Sequence, residues 1–240
     1  MSQSPRPLLA YEDLGDPARP AVLLIHGFAG TARAHFAPLI AALEPDYRVI
    51  APDLSGQGRS ADIPRQVDTH LHHHDADDLL ALLDAALATD GTDRSRVGVM
   101  GGSYGGFMTG WLASHAGERF RAAIVERAVT SWDSFSGSSD IGFVFAEQNT
   151  GADPAASAAQ SPLAYVDKID LPVLIIHSEQ DWRCPVEQAQ RLYVALKLRG
   201  VDTELLLFPG EGHELSRSGL PSHRVARFDA ILDWWSRHFA

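Results

Sequence analysis

Along the chain, short runs of consecutive apolar residues alternate with longer segments whose apolar positions recur every three or four residues. The runs are Leu8–Glu12, Ala21–Ile25, Arg48–Ala51, Arg96–Met100, Ala122–Val125, Val173–His177 and Glu204–Phe208. Several are almost wholly apolar, as strands buried on both faces should be. Between them, Asp75–Ala88 aligns Leu79, Leu83 and Leu87 on one face, with acidic residues at its start to complement a helix dipole. Pro185 opens a second helical pattern through Ala189, Leu192, Tyr193 and Leu196, closed by Gly200, and a third runs from Pro221 through Val225, Phe228, Leu232 and Trp235. Strands alternating with helices predict an α/β fold: a mostly parallel central sheet with helices on both faces. Residues 129–165 break the pattern, because their Ser, Gly and Ala content blurs any period. They are expected to form a small cap or irregular insertion above the sheet.

Composition narrows the function classes. The chain has 240 residues, 45% of them hydrophobic, a length that one α/β core can absorb, so residues 1–240 are read as one domain. A formal net charge of -11 without a cluster of Lys and Arg argues against a nucleic-acid partner. Cys184 is the lone cysteine, so no intrachain disulfide is possible. Pro5 and Pro7 interrupt the opening residues, no apolar run is long enough to span a bilayer, and a cytoplasmic location without membrane attachment is expected.

The chemistry begins where the run Arg96–Met100 enters Gly101-Gly102-Ser103-Tyr104-Gly105-Gly106. This is a G-x-S-x-G match between a strand and an amphipathic helix carrying Phe107, Trp111 and Leu112, the context that lifts a serine hydroxyl onto an exposed turn. The spacing lacks the lysine of a phosphate loop and the glycine pattern of a dinucleotide fingerprint. A serine needs a base, and among eleven histidines His213 is singled out. It follows the last strand in the loop Pro209-Gly210-Glu211-Gly212, at the sheet end where α/β sites assemble. Asp181 follows the strand Val173–His177 at the same edge, whereas Asp167 and Asp170 precede it. An aspartate there would fix the imidazole tautomer. For the oxyanion, the backbone N–H of Tyr104 and that of Phe28, in His26-Gly27-Phe28-Ala29-Gly30, are the expected donors.

From about Gly98 onward the chain resembles the catalytic domain of acylaminoacyl peptidases in the prolyl oligopeptidase family. The resemblance rests on GGSYGGFMT (Gly101–Thr109), SSDIG (Ser138–Gly142), SPLAYV (Ser161–Val166), HSEQDWRCP (His177–Pro185) and FPGEGHELSRSGLP (Phe208–Pro221). It implies an α/β-hydrolase fold with the family's triad on Ser103, Asp181 and His213. Residues 8–60 instead resemble small α/β-hydrolase esterases, through YEDLG (Tyr11–Gly15), His26-Gly27-Phe28 and PDLSGQGRS (Pro52–Ser60). The two halves together suggest a composite chain. Oligopeptidases of the family also carry a β-propeller, for which 240 residues leave no room, and a tyrosine-bearing oxyanion loop that Asp53–Ser60 does not supply.

The resulting expectation is a serine hydrolase that cleaves carboxylic esters through an acyl-enzyme, since an alkoxide leaves more readily than an amine. The alternatives are an acylaminoacyl peptidase or small exopeptidase acting on blocked peptides, and a non-catalytic binding protein. Trp132, Phe135, Phe143, Phe145 and Trp182 are candidates for an apolar substrate pocket. His70, His72, His73 and His74 lack the separated, convergent spacing of a structural zinc site, and Asp53 alone is too little for calcium, so no metal or other cofactor is expected. Cys184 reads as a packed residue. Oligomeric state and acyl-chain length are not fixed by sequence.

Overall fold

The apolar runs become strands, and the alternate residues of each strand feed different helices. The computed structural model describes residues 7–65 and 71–240. The strands are β1 (Tyr11–Leu14), β2 (Ala21–Ile25), β3 (Arg48–Pro52), β4 (Val97–Gly102), β5 (Ala122–Glu126), β6 (Val173–Ser178) and β7 (Thr203–Phe208). The helices are α1 (Ala32–Leu43), α2 (Leu71–Ala86), α3 (Tyr104–His115), α4 (Trp132–Ser138), α5 (Gly142–Thr150), α6 (Pro154–Ala159), α7 (Glu187–Leu198), α8 (Leu215–Ser218) and α9 (Pro221–Phe239). Side chains of a strand point alternately to opposite faces. Accordingly Leu23, Ile25, Val97, Val99 and Ile175 pack with α2, α3 and α7, while Val22, Leu24, Met100, Ile124 and Ile176 pack with α1 and α9. This is the α/β-hydrolase fold, with two apolar cores separated by the sheet.

The sheet order is β1-β3-β2-β4-β5-β6-β7, with β1 antiparallel to β3 and every other pairing parallel. From β2 the chain steps outward to β3, then returns to place β4 on the other side of β2. Open α/β sheets bind ligands at the carboxyl edge of such a switch point. Here Ile25 of β2 is in register with Gly101 of β4. The loops that follow these two strands, carrying Phe28 and Ser103, therefore start side by side.

Three predicted elements shift. The first strand was expected at Leu8–Glu12, but the Ala10 N–H donates to Ser60 Oγ and its carbonyl accepts from the Asp53 N–H. Loop groups thus replace ladder partners before Tyr11, and Leu9 is buried as a plug. On α9 the buried residues are Arg227, Ile231, Trp234, Trp235 and Phe239. Val225 is exposed, because it lies on the flank of that stripe. Residues 129–165 are not irregular: they hold α4, α5, α6 and the start of a 3-10 segment, Pro162–Lys168. Each helix is too short to display a full hydrophobic repeat, which is why their period was hidden.

His70 lies outside the described residues. Among the described residues no group of His, Cys, Asp and Glu side chains is arranged to hold a metal ion, and no helix is long and apolar enough to cross a membrane.

Candidate active site

Ser103 joins β4 to α3 with φ 62° and ψ -122°, a left-handed conformation that a serine adopts only under constraint. Its N–H donates to the Glu126 carbonyl, 3.0 Å away. The constraint comes from backbone crowding. A Cβ on Gly105 would stand 1.9 Å from the Ile25 carbonyl oxygen, and one on Gly101 would stand 2.2 Å from that of Gly105. Only glycine lets the helix, the nucleophile strand and β2 approach this closely. The floor of the site is also fixed by charge. Glu126 and Arg227 form a buried pair, and although burial pushes the Glu126 carboxyl up, the guanidinium outweighs it and holds the acid below its ordinary range.

The histidine and aspartate arrive from the ends of β7 and β6, as expected from their places in the sequence. Nε2 of His213 lies 3.0 Å from Ser103 Oγ, and Nδ1 lies 2.8 Å from Asp181 Oδ2. A carboxylate only accepts, so Nδ1 carries the proton and Nε2 presents its lone pair to the serine hydroxyl. Asp181 is buried, and its second oxygen accepts from the N–H groups of Arg183 (3.0 Å) and Cys184 (2.8 Å). With both oxygens engaged, the carboxylate cannot rotate away from the imidazole. Such a chain of bonds can draw the proton from Oγ as the oxygen attacks an acyl carbon.

Phe28 and Tyr104 flank the serine at the switch point. Their rings meet edge to face with centroids 6.3 Å apart. The Phe28 loop is set from beneath by two histidines that stay neutral. The His26 ring bridges the Gly27 carbonyl (2.7 Å) and the Leu54 N–H (3.0 Å), which requires the proton on Nδ1, and burial pushes its pKa down. His35 of α1 accepts the Gly27 N–H at 3.3 Å through Nδ1, and burial, reinforced by the Arg127 and Arg217 cations, lowers its pKa to about 4. Asp53–Ser60, where the resemblance would place an oxyanion tyrosine, instead caps α1: Asp53 Oδ1 accepts the Ala32 N–H and Oδ2 accepts from Arg59.

A cavity of about 470 Å³ opens beside Ser103, walled by Val129, Trp132, Phe135, Ile141 and Phe145, with Cys184, His35 and Arg127 also on its lining. Trp132, Phe135 and Phe145 are where the sequence placed them. Phe143 and Trp182 are not: both are about three-quarters exposed and stand outside the cavity. On α5, residues two apart point roughly 200° apart, so Phe145 facing in sends Phe143 out. Trp182 is turned outward by the tight turn in which Asp181 holds the N–H groups of Arg183 and Cys184. Cys184 is buried and its thiol pKa is pushed well up by burial, which suits packing and not nucleophilic attack.

Arg127 and His35 are site residues that the sequence alone did not single out. Arg127 follows β5 at φ 38°, is buried, and points Nη1 at His213 Nε2 from 3.2 Å. Nε2 has one lone pair, so Arg127 and Ser103 share it. The signal available in sequence was the adjacent charged pair Glu126-Arg127 closing an otherwise apolar strand. For His35 there was none beyond its place one helical turn into α1.

The sheet, the sharp turn and the hydroxyl–imidazole–carboxylate chain define a serine hydrolase of the α/β-hydrolase fold. Residues 34–240 match the prolyl oligopeptidase family, and the chain belongs to it. It is 37% identical to the uncharacterized peptidase YuxL of Bacillus subtilis over 234 residues, 93% of this chain and 35% of that protein. Over 176 residues it is 32% identical to the acylamino-acid-releasing enzyme of Homo sapiens, covering 69% of this chain and 24% of the relative. The solved acylaminoacyl peptidase of Pyrococcus horikoshii superposes with a TM-score of 0.85 at 27% identity, over 95% of this chain and 39% of that one. The chain thus spans between about a quarter and two-fifths of the length of these relatives. Because one relative aligns across nearly the whole sequence, these matches lend no support to a composite origin.

Proposed function

We propose that the protein hydrolyses peptides whose amino terminus is blocked by an acyl group, releasing the acylated residue through an acyl-enzyme on Ser103. The observation that carries this reading is the Ser103–His213–Asp181 chain of hydrogen bonds in a member of a peptidase family whose matched relatives include acylamino-acid-releasing enzymes. Amide cleavage, the alternative drawn from the sequence, is therefore better supported than carboxylic-ester hydrolysis as the principal activity.

The residues take these roles. Ser103 Oγ attacks the scissile carbonyl carbon while His213 Nε2 accepts its proton, and Asp181 stabilises the imidazolium that results. The N–H groups of Phe28 and Tyr104 donate to the oxygen as it becomes an oxyanion. The C–N bond then breaks, with His213 returning the proton to the departing amine. Water, deprotonated by His213, attacks the ester so formed and frees the acyl-amino acid and Ser103.

Two features of the cavity favour a blocked peptide. Its lining carries Arg127, Arg183 and Arg217; Arg183 is paired with Asp140 and Arg217 with Glu214, which leaves Arg127 as the lining cation without a salt bridge among the described residues. A free terminal ammonium would face surplus positive charge there; an acylated amine carries none. In addition, Arg127 lines the cavity and its buried Nε has no acceptor among the described residues, so a small turn of the guanidinium would offer a further donor to a peptide carbonyl. The aromatic wall suits an apolar side chain next to the cleaved bond. We place the reaction in the cytoplasm, a reading supported by the lone, unpaired Cys184.

Steady-state rates with N-acetyl-phenylalanine p-nitroanilide, phenylalanine p-nitroanilide and p-nitrophenyl butyrate test this. Turnover of the acetylated anilide at least about tenfold above the free-amine anilide is expected. Brisk cleavage of the ester with neither anilide touched would restore the esterase reading.

A further inference from the structure

The cavity, Cys184 on its lining and the two histidines beneath the Phe28 loop all belong to the site already described. Behind its outer wall is a cation that the acyl-transfer chemistry does not use. The Arg65 guanidinium lies 4.6 Å from the centroid of the Phe28 ring and 5.4 Å from that of Tyr104. Its Nη2 is 3.6 Å from Asp75 Oδ2, the same oxygen that accepts the Tyr104 hydroxyl at 2.5 Å. The Arg65 side chain is only 17% exposed, and among the described residues Nε and Nη2 have no partner within hydrogen-bond distance, the Asp75 carboxylate at 3.6 Å being an ion-pair contact. What holds this charge in place is therefore two aromatic faces and one buried carboxylate, an arrangement in which cation–π attraction is strengthened by desolvation.

We propose that Arg65 is a positioning residue that clamps the Phe28 loop against Tyr104, fixing the spacing of the two backbone donors that face the reacting oxygen. The inference rests on the reading of Ser103 as nucleophile with those donors. His26 and His35 hold the base of the loop at Gly27, and its Phe28 end is what remains to be held. Phe28 is 45% exposed, and its neighbour Ala29 has φ 55°, so the loop gains little from burial. Tyr104, by contrast, is buried at the start of α3 and tied to Asp75. Arg65 spans the two and lends the loop the rigidity of the helix. Donors aimed at developing charge act only if held in advance, so loosening this clamp should cost the transition state more than the bound substrate.

The test is the kinetics of Arg65→Met and Phe28→Leu, alone and combined, on the best substrate of the wild-type enzyme. Met keeps the apolar stem and removes the charge and plane; Leu keeps the residue-28 N–H and removes the ring. Arg65→Met is expected to lower kcat about tenfold with KM changed less than about twofold, and to cost less in the Phe28→Leu background than in the wild type, because the two substitutions share the Arg65–Phe28 contact. Arg65→Lys, which restores a cation but not the planar stack, is expected to fall between. Should Arg65→Met not fold, the same comparison is made with Arg65→Lys. Wild-type kcat in the Arg65 variants, or losses that multiply in the double variant, would overturn the clamp. A wild-type enzyme that neither turns over substrate nor is labelled by a fluorophosphonate would instead overturn the nucleophile reading, and this inference with it.

Discussion

The backbone of Gly105 meets that of Ile25 so closely that a methyl group on Gly105 would stand 1.9 Å from the Ile25 carbonyl oxygen. Helix α3 and strand β2 are thereby locked together, and with them the serine that precedes the helix and the Phe28 loop that follows the strand. Gly105→Ala should cost about 3 kcal/mol or more, because the obstacle is backbone that cannot step aside. Gly137, exposed on α4 with no atom within 4 Å of the place a methyl group would take, is the control. There, alanine should stabilise by about 0.5–1 kcal/mol through helix propensity. Urea unfolding of both variants measures the contrast, and equal midpoints would contradict it.

Much of this was legible in the sequence, for identifiable reasons. The inner strands are buried on both faces and so are written as unbroken apolar runs. Ser103 sits in a motif whose glycines answer the local crowding just described, and Asp181 and His213 follow strands whose direction fixes the edge they occupy. What stayed hidden depends on contacts between elements. Phe143 and Phe145 cannot be told apart without the phase of α5. Arg127, His35 and Arg65 acquire their meaning only from partners 86, 8 and 10 or more residues away, brought together by the fold.

Asp181→Asn keeps the shape of the site and changes its proton. With the amide oxygen accepting from Arg183 and Cys184, the NH2 group faces His213 Nδ1 and forces the proton onto Nε2. Ser103 then meets a donor instead of a base. A fall in kcat of roughly a thousandfold or more with little change in KM is expected from steady-state kinetics. Activity within about threefold of wild type would rule out this role.

His35 links the site to acid stability. Its pKa is about 4 in the folded protein against 6.5 for an unperturbed histidine, so between these values the unfolded chain binds more protons. Stability should therefore fall as pH drops from 6.5 to 4, with solvent screening of the partly exposed ring limiting the size of the effect. His35→Asn still offers the Gly27 N–H an acceptor but does not titrate. Its urea midpoint should decline less than that of wild type between about pH 7 and about pH 4.5. Identical declines would show that the ring does not carry the effect.

Phe145 closes the cavity between Phe28 and Trp132, with ring centroids 5.7 and 6.1 Å away. Phe145→Ala should raise KM for acetyl-phenylalanine anilide about tenfold, through loss of apolar contact. Phe143→Ala and Trp182→Ala, on the outer surface, should leave kinetics unchanged. A reversed ranking of these three variants would place the substrate elsewhere.

The most direct measurement is to label the protein with a fluorophosphonate and locate the adduct by mass spectrometry of its peptides. The adduct is expected on Ser103, with Ser103→Ala unlabelled and inactive toward the acetylated anilide. An unlabelled wild type, an adduct on another residue, or full activity in Ser103→Ala would contradict the assignment of Ser103 as the nucleophile.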